Sequence, residues 1–315
     1  MHSRRRFVVA VALALLGSTA LLAAHPGSAG NPWGANYFPN VTLTTQDGRA
    51  VRFYDDLLKG KGVAVNAIYT TCKDECPLET ARLVQVQKLL GDRVGKDIFF
   101  YSLTIDPKRD TPEVLKAYAE KFHVGPGWLF LTGQEDDIKL ITRKLGLSRS
   151  NDSANRDGHM PILMIGDEAT GQWMRNSAVD NPKFLATTIG NFMRWPSTQP
   201  EKSYAEVSQT RLPDKREYLF QSRCSACHTI GKGDGVGPDL AGVTTRRDRE
   251  WLTRYLIEPD RMRAEGDPIA TTLFARYSNV PMPNLRLSTI DVDALLSYLE
   301  THGAASPAAS PEKRN

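Results

Sequence analysis

The chain has little net charge and few cysteines. Its 315 residues contain 40 Lys and Arg against 36 Asp and Glu, which gives a formal charge of +4. Without an excess of positive charge, the composition does not favour a nucleic acid as partner. Cysteine occurs only four times, too rarely for a disulfide-rich scaffold. The four cysteines fall into two pairs with different spacing, and these pairs carry most of the functional information.

The second cysteine pair has the spacing of a haem attachment site. Residues 224–228 read CSACH, in which both thiols can add to the vinyl groups of a haem and the adjacent imidazole of His228 can reach the iron. On spacing alone, a zinc half-site or two buried thiols would also be compatible with this motif. The pattern favours one covalently bound haem c.

The residues that follow support haem attachment. Residues 237–240 (GPDL) and 280–285 (VPMPNL) come after the haem motif, and residues 291–301 have apolar positions at helical spacing. This arrangement resembles the class I cytochromes c, which implies an all-α domain with His228 and Met282 as axial ligands. Met262 is the alternative sulfur ligand, but it lies among charged residues and is expected in a surface turn.

The N-terminus resembles an export signal. Three arginines precede an apolar run over residues 7–24, and small residues follow it, with cleavage expected after Ala24 or Ala29. An uncleaved anchor in the inner membrane is the alternative, because 18 apolar residues are at the lower limit for spanning a bilayer. Either interpretation predicts a periplasmic protein, the compartment in which c-type haem is attached.

The remaining chain divides into two domains joined by a polar linker. Residues 31–194 form the first domain and residues 214–302 the second, while residues 195–213 are rich in Pro, Ser, Thr, Gln and Lys. A signal or anchor over residues 1–29 precedes the first domain. Residues 303–315, after the second domain, are expected to be a disordered tail. Because the linker has no apolar face, we expect flexibly tethered domains without a permanent interface.

The first domain alternates strands and helices. A hairpin turned at Gly48 is followed by an apolar run over residues 62–69, which is typical of a buried strand. Pro77 then begins a predicted helix, and further strands and helices follow. A strand that runs into a cysteine loop at a helix start predicts a thioredoxin-like α/β fold.

The first cysteine pair lies in that loop. Residues 72–77 read CKDECP, and Cys76 stands at the expected N-terminus of a helix, where the helix dipole would stabilise a thiolate. Two such thiols can bind a soft metal ion, cycle between dithiol and disulfide, or form a structural disulfide.

The motifs of this domain resemble those of the SCO/SenC family. They are residues 69–77 (YTTCKDECP), residues 106–112 (DPKRDTP), the Trp128 strand and the late His159. The family consists of membrane-associated, thioredoxin-like copper proteins that assemble the CuA centre of cytochrome c oxidase. The resemblance therefore implies one copper ion, as Cu(I) or Cu(II), bound by Cys72, Cys76 and His159.

The chain has few histidines that could serve as the third copper ligand. Of six histidines, only His123 and His159 lie outside the signal segment, the haem motif and the C-terminal end. His123 ends a predicted helix, where an imidazole favours the negative end of the dipole. In that stretch Asp110 is expected to cap the helix that Pro112 begins.

The two domains together predict a copper-handling assembly factor with a fused electron-transfer domain, rather than an enzyme. Its partners would be the CuA subunit or other copper and thiol proteins, and a redox partner for the haem. The alternatives are a thiol-disulfide oxidoreductase or redox sensor that uses Cys72 and Cys76 as its redox pair, and a respiratory electron carrier. Residues 73–75 and 246–247 carry charges that could dock one domain on the other.

Overall fold

The computed structural model describes residues 33–73, 75–148, 160–192 and 214–303. The predicted signal segment, the predicted linker, Asp74 and His159 lie outside these ranges. Within them, no helix is both long enough and apolar enough to cross a membrane.

The first domain is built on a seven-stranded mixed sheet in the order β2-β1-β5-β4-β3-β6-β7. Strands β3, β4 and β5 are parallel, and the other neighbours are antiparallel. Residues 62–68 of β3 are all buried, as the apolar run predicts. The strands are β1 Thr42–Thr45, β2 Ala50–Arg52, β3 Gly62–Ile68, β4 Ile98–Thr104, β5 Trp128–Thr132, β6 Ile162–Asp167 and β7 Gln172–Ser177.

Helices cover both faces of this sheet. They are α1 Cys76–Leu90, α2 Pro112–Lys121, α3 Glu135–Lys144 and α4 Pro182–Phe192. Helices α1, α2 and α4 contribute to one buried apolar cluster, while α3 and a π-helical turn at Phe53–Leu58 contribute to the other. The predicted thioredoxin-like α/β architecture is confirmed. Strand β7 and the π-helical turn were not predicted. For β7 the reason is that it is an edge strand with a polar sequence, paired with β6.

The second domain consists of helices and connecting loops, with no strand among its described residues. Its helices are α5 Lys215–Arg223, α6 Val243–Arg246, α7 Arg249–Ile257, α8 Pro259–Ala264, α9 Pro268–Arg276 and α10 Thr289–His302. Helix α10 starts with a capping box formed by Ser288 and Asp291, and it packs on α5, where Phe220 and Tyr298 stack with ring centroids 5.2 Å apart. The predicted pairing of the first and last helices, typical of a cytochrome c domain, is confirmed.

The two domains pack directly against each other. Ala226, Cys227, Val236 and Val280 of the second domain lie on the apolar cluster that contains α1 of the first. Polar side chains of α1 also donate hydrogen bonds to backbone carbonyls at the end of α5. The expectation of tethered domains without an interface is therefore wrong: the apolar surface that docks them comes from the domains themselves, not from the linker.

Candidate functional site

The first cysteine pair lies at the carboxyl ends of the parallel strands. The chain leaves β3 at Ile68 and turns, with the amide of Cys72 donating to the carbonyl of Tyr69 at 3.2 Å, and α1 begins at Cys76. Both cysteines are buried thiols, 6% and 0% exposed, and a hydrogen bond joins their side chains. The fold thus brings the two sulfur atoms together at the edge of the sheet where α/β proteins commonly bind ligands.

The Cys76 thiol is harder to deprotonate than the sequence predicts. Its pKa is raised well above the ordinary value, first by the hydrogen bond with Cys72, then by burial and by the nearby Glu79 carboxyl. The expected stabilisation of a thiolate by the helix dipole is therefore outweighed, because the hydrogen bond with Cys72 and then the apolar environment both favour the protonated thiol. Both cysteines are free of a disulfide, and a metal bound by both sulfurs would displace the protons of the thiols.

Asp110 holds the cysteine loop against the sheet. Its carboxyl group is buried and accepts hydrogen bonds from the Thr70 amide at 3.1 Å, from the Thr70 hydroxyl at 2.5 Å and from the Thr104 hydroxyl at 2.5 Å. The predicted role of Asp110 as a helix cap is wrong. Thr111 caps α2, because it has the extended backbone of a capping residue and its hydroxyl faces the Val114 amide.

A buried polar network lies behind Cys76. Glu79, one helical turn after Cys76, accepts a hydrogen bond from the Asn66 amide at 3.1 Å. The carbonyl oxygen of the Asn66 side chain accepts from the Ser102 hydroxyl at 2.7 Å, and that hydroxyl accepts from the Trp128 indole at 2.9 Å. Burial raises the pKa of Glu79 well above its usual range. Sequence reasoning missed this carboxyl group, although its position three residues after Cys76 places it on the same face of α1.

The histidine that completes the predicted copper site cannot be placed. His159 lies outside the described residues, and His123 is exposed with a φ of +56° just beyond α2. In the described part of the chain, no cluster of three or more His, Cys, Asp and Glu side chains has the geometry to hold a metal ion. The assignment of His159 as third ligand remains a prediction.

The second domain contains an apolar hollow at the haem motif. Two adjoining cavities of about 850 and 520 Å³ share His228 and Met282 in their walls, and Cys224 lines the first and Cys227 the second. The other lining residues are mostly apolar and come from α6, α7, α9, α10 and the loops that precede α6 and follow α9. The predicted thioether and axial residues therefore converge on one space.

The surroundings of His228 suit an iron ligand. Its Nδ1 atom lies 2.9 Å from the carbonyl oxygen of Pro238, which leaves Nε2 for a metal. Burial lowers the pKa of this imidazole, and the neutral ring is the form that binds a metal. A Cβ atom on Gly237 would lie 2.6 Å from Cε1 of His228, so glycine is required for the ring to pack here. These residues fit a haem c.

The structure distinguishes between the two methionines. Met282 lines both cavities, and its loop is held by Arg263, which donates to the Met282 carbonyl at 3.2 Å, and by a hydrogen bond of 3.1 Å from Asn284 to Asp260. Met262 is 1% exposed within α8 and lines neither cavity. The expected surface turn around Met262 is thus a short helix whose apolar side packs inward.

Asp239 organises the loop that follows His228. Its carboxylate accepts hydrogen bonds from the amides of Gly231, Gly233 and Ala241 at 2.8, 2.6 and 2.8 Å. These donors, of which the Ala241 amide contributes most, lower the pKa of Asp239 to about 2. The sequence did not single out this residue; an aspartate within a glycine-rich turn is the signal that could have found it.

A polar cleft separates the cysteine loop from the cytochrome domain. It measures about 1240 Å³, and its walls include Cys72 and Lys73 on one side and Asp260, Arg261 and Arg263 on the other. Residues 246–247 do not face this cleft: they line the haem hollow, and Arg246 donates to the Ala241 carbonyl. The charges that face Lys73 therefore come from α8 rather than from the predicted arginine pair.

Comparisons with known proteins divide the chain in the same way. The family model described as SCO1/SenC matches residues 33–171, and the model described as cytochrome c matches residues 217–303. A SCO2-like protein of Rickettsia conorii is 39% identical over 147 residues, which cover 44% of this chain and 69% of that protein.

Two further relatives each match half of the chain or less. A SCO2-like protein of Rickettsia felis is 32% identical over 136 residues, or 41% of this chain, and the chain spans 64% of that protein's length. The crystal structure of yeast Sco1 with copper bound is 25% identical, covers 50% of this chain and 94% of its own, and superposes with a TM-score of 0.40.

Proposed function

The chain belongs to the SCO1/SenC family, and on this premise we propose that it is an exported copper-handling factor for the assembly of the CuA centre of cytochrome c oxidase, with a fused cytochrome c domain for electron exchange. Cys72, Cys76 and His159 are its proposed copper ligands. Cys224, Cys227, His228 and Met282 are its proposed haem ligands.

The observation that carries this proposal is the hydrogen-bonded pair of buried thiols at the start of α1. Two sulfur donors suit Cu(I), and an added imidazole nitrogen would let the same site hold Cu(II). Because Asp110 ties Thr70 to β4, the loop that presents Cys72 is held in one position. This preorganised pair supports a binding site for one copper ion as cargo.

The cytochrome domain gives the copper site an electron partner. A haem c on this domain supplies a one-electron Fe(III)/Fe(II) couple, which matches the one-electron change between Cu(I) and Cu(II). Forming a disulfide from Cys72 and Cys76 would instead release two electrons and two protons, and a single haem would have to act twice. This stoichiometry favours copper over a purely thiol-based cycle.

A thiol-disulfide oxidoreductase is the second candidate function. The hydrogen bond between the thiols of Cys72 and Cys76 favours it, because two sulfur atoms in contact can also form a disulfide. In that case the pair would reduce a disulfide in a copper-site protein, becoming a disulfide itself while the partner gains two thiols.

Anaerobic Cu(I) titration of the full-length, haem-loaded and reduced protein against a competing chelator tests the proposal. We expect one tight Cu(I) site in the wild type and its loss in both Cys72→Ser and Cys76→Ser, with His123→Ala as a matched control that keeps it. Mixing protein whose haem has been oxidised, and then freed of oxidant, with one equivalent of Cu(I) in a stopped-flow cell should show one haem reduced per Cu(II) formed, in a phase whose rate is independent of protein concentration.

The two functions give different results. Absence of tight Cu(I) binding, together with rapid exchange of the Cys72 and Cys76 thiols with a disulfide substrate, would replace the copper function by the oxidoreductase. A haem reduction rate proportional to protein concentration would show that the two domains serve separate partners.

A further inference from the structure

Helix α1 joins the two domains through a buried guanidinium group. Arg82 is only 1% exposed, and its Nη2 atom donates to the carbonyls of Gln221 and Ser222 at 2.9 and 2.8 Å. Gln85, which accepts from Arg82 Nη1 at 2.8 Å, itself donates to the Ser225 carbonyl at 2.7 Å. All three carbonyls lie at or just past the C-terminal end of α5, directly beside the haem motif.

No carboxylate of the described residues pairs with this guanidinium. Its hydrogen-bond acceptors are two backbone carbonyls and one side-chain amide, and its Nε atom is buried without an acceptor. The exposed Asp180 interacts with it electrostatically but forms no ion pair with it. An arginine stays charged even when buried, since its pKa is above 12 in water. Burying this charge costs free energy, and the carbonyls at the end of α5 offset part of that cost because they form the negative end of the helix dipole.

The charge lies beside the proposed haem attachment points. The guanidinium of Arg82 interacts electrostatically with the sulfur atoms of both Cys224 and Cys227. Cys76 and Arg82 are on the same helix, six residues apart, which corresponds to about 9 Å along its axis. One rigid helix therefore presents Cys76, one of the two thiols, and contacts the edge of the haem site.

We propose that Arg82 is a positioning residue with two effects: it docks the CSACH segment on α1, and its uncompensated charge raises the reduction potential of the haem bound there. The inference rests on the proposed function only in so far as haem attaches at Cys224 and Cys227. A fixed positive charge in a medium of low dielectric constant favours the ferrous state, which carries one positive charge fewer than the ferric state.

Spectroelectrochemical titration of the full-length holoprotein measures the electrostatic effect. Arg82→Gln should lower the haem potential by about 59 mV, equivalent to a tenfold rise in the oxidised-to-reduced ratio at fixed potential. Arg82→Lys keeps the charge and should restore most of that difference. The matched control is Arg223→Gln. This exposed charge acts on Cys224 more strongly than Arg82 does, but Arg82 alone acts on Cys227 as well, and because solvent screens Arg223 we expect a smaller shift.

Hydrogen exchange of the backbone amides in residues 219–228 measures the docking effect. Gln85→Ala removes one interdomain hydrogen bond and keeps the charge, so it should speed exchange without moving the potential. Arg82→Lys should likewise speed exchange, because an ammonium group cannot replace the planar fork that reaches two carbonyls. If Arg82→Gln does not accumulate as folded protein, these two variants still test the docking effect.

The inference fails if Arg82→Gln and Arg223→Gln shift the potential equally, or if Arg82→Lys shifts it as far as Arg82→Gln does. It also fails if exchange in residues 219–228 is the same in all variants. Its failure is distinguishable from that of the copper proposal, because loss of Cu(I) binding in the titration leaves the dependence of the haem potential on Arg82 untouched.

Discussion

Replacing Asp110 with alanine should destabilise the first domain and loosen its cysteine loop. The substitution removes the acceptor of three hydrogen bonds, two of them from Thr70 and one from Thr104. The Thr70 amide and the Thr104 hydroxyl would then have no acceptor here, and each stranded group costs about 1–3 kcal/mol. We therefore expect a loss of about 3 kcal/mol or more in the free energy of unfolding.

The neighbouring Thr111 provides a matched control. If α2 were capped by Asp110, as the sequence suggested, Asp110→Ala would cost about 1 kcal/mol and Thr111→Ala almost nothing. The structure predicts the reverse order of sensitivity: about 1 kcal/mol for Thr111→Ala, and several times more for Asp110→Ala. Asp110→Asn keeps one acceptor oxygen, so its loss in the free energy of unfolding should lie between those of Thr111→Ala and Asp110→Ala.

Urea unfolding of the full-length protein measures these differences. Far-UV circular dichroism follows the secondary structure of both domains and haem absorbance follows the second domain alone, so that unfolding of the first domain is obtained from the difference. Cu(I) affinity should also fall, on the order of tenfold or about 1.4 kcal/mol, because Thr70 lies two residues before Cys72 and would no longer hold it in place. Equal unfolding midpoints for Asp110→Ala and Thr111→Ala would refute the reasoning.

Three further predictions concern the metal and haem residues. Met282→Ala should abolish the sulfur-to-iron absorption band of the oxidised protein, and a band that survives this substitution would exclude Met282 as a ligand. Met262→Ala should keep the band but cost about 2–5 kcal/mol in the free energy of unfolding. His159→Ala should weaken Cu(II) binding far more than Cu(I) binding, while His123→Ala changes neither; the opposite pattern in a copper titration would identify the other histidine. The lowered pKa of Asp239 should stabilise the second domain fully above about pH 4 and lose that contribution as the pH falls towards 2, so Asp239→Asn should flatten this acid limb in thermal unfolding curves.

Local patterns in the sequence were sufficient for most of the secondary structure. The near-continuous apolar run of β3 and the proline one residue into α1 have a single simple interpretation, and the structure has both elements within one residue of the expected bounds. Strand β7 was missed because an edge strand buries only part of each side chain, which leaves no apolar alternation to detect.

The chemical identity of the sites was also largely a matter of sequence. The spacing of Cys224, Cys227 and His228, and that of Cys72 and Cys76, specifies which atoms are available, since neighbours along the chain cannot move far apart. Groups that meet only through folding were missed or misassigned. Asp110 contacts Thr70 across 40 residues, and no local pattern separates this contact from a helix cap.

Tertiary structure alone decided the electrostatics and the arrangement of the domains. A helix N-terminus favours a thiolate, but at Cys76 the hydrogen bond with Cys72, burial and the nearby Glu79 carboxyl outweigh that effect. In the same way, Arg82 looks in the sequence like any surface arginine of an amphipathic helix. Its charge acquires a role only because the second domain packs over it, and desolvation depends on which surfaces meet rather than on the order of residues along the chain.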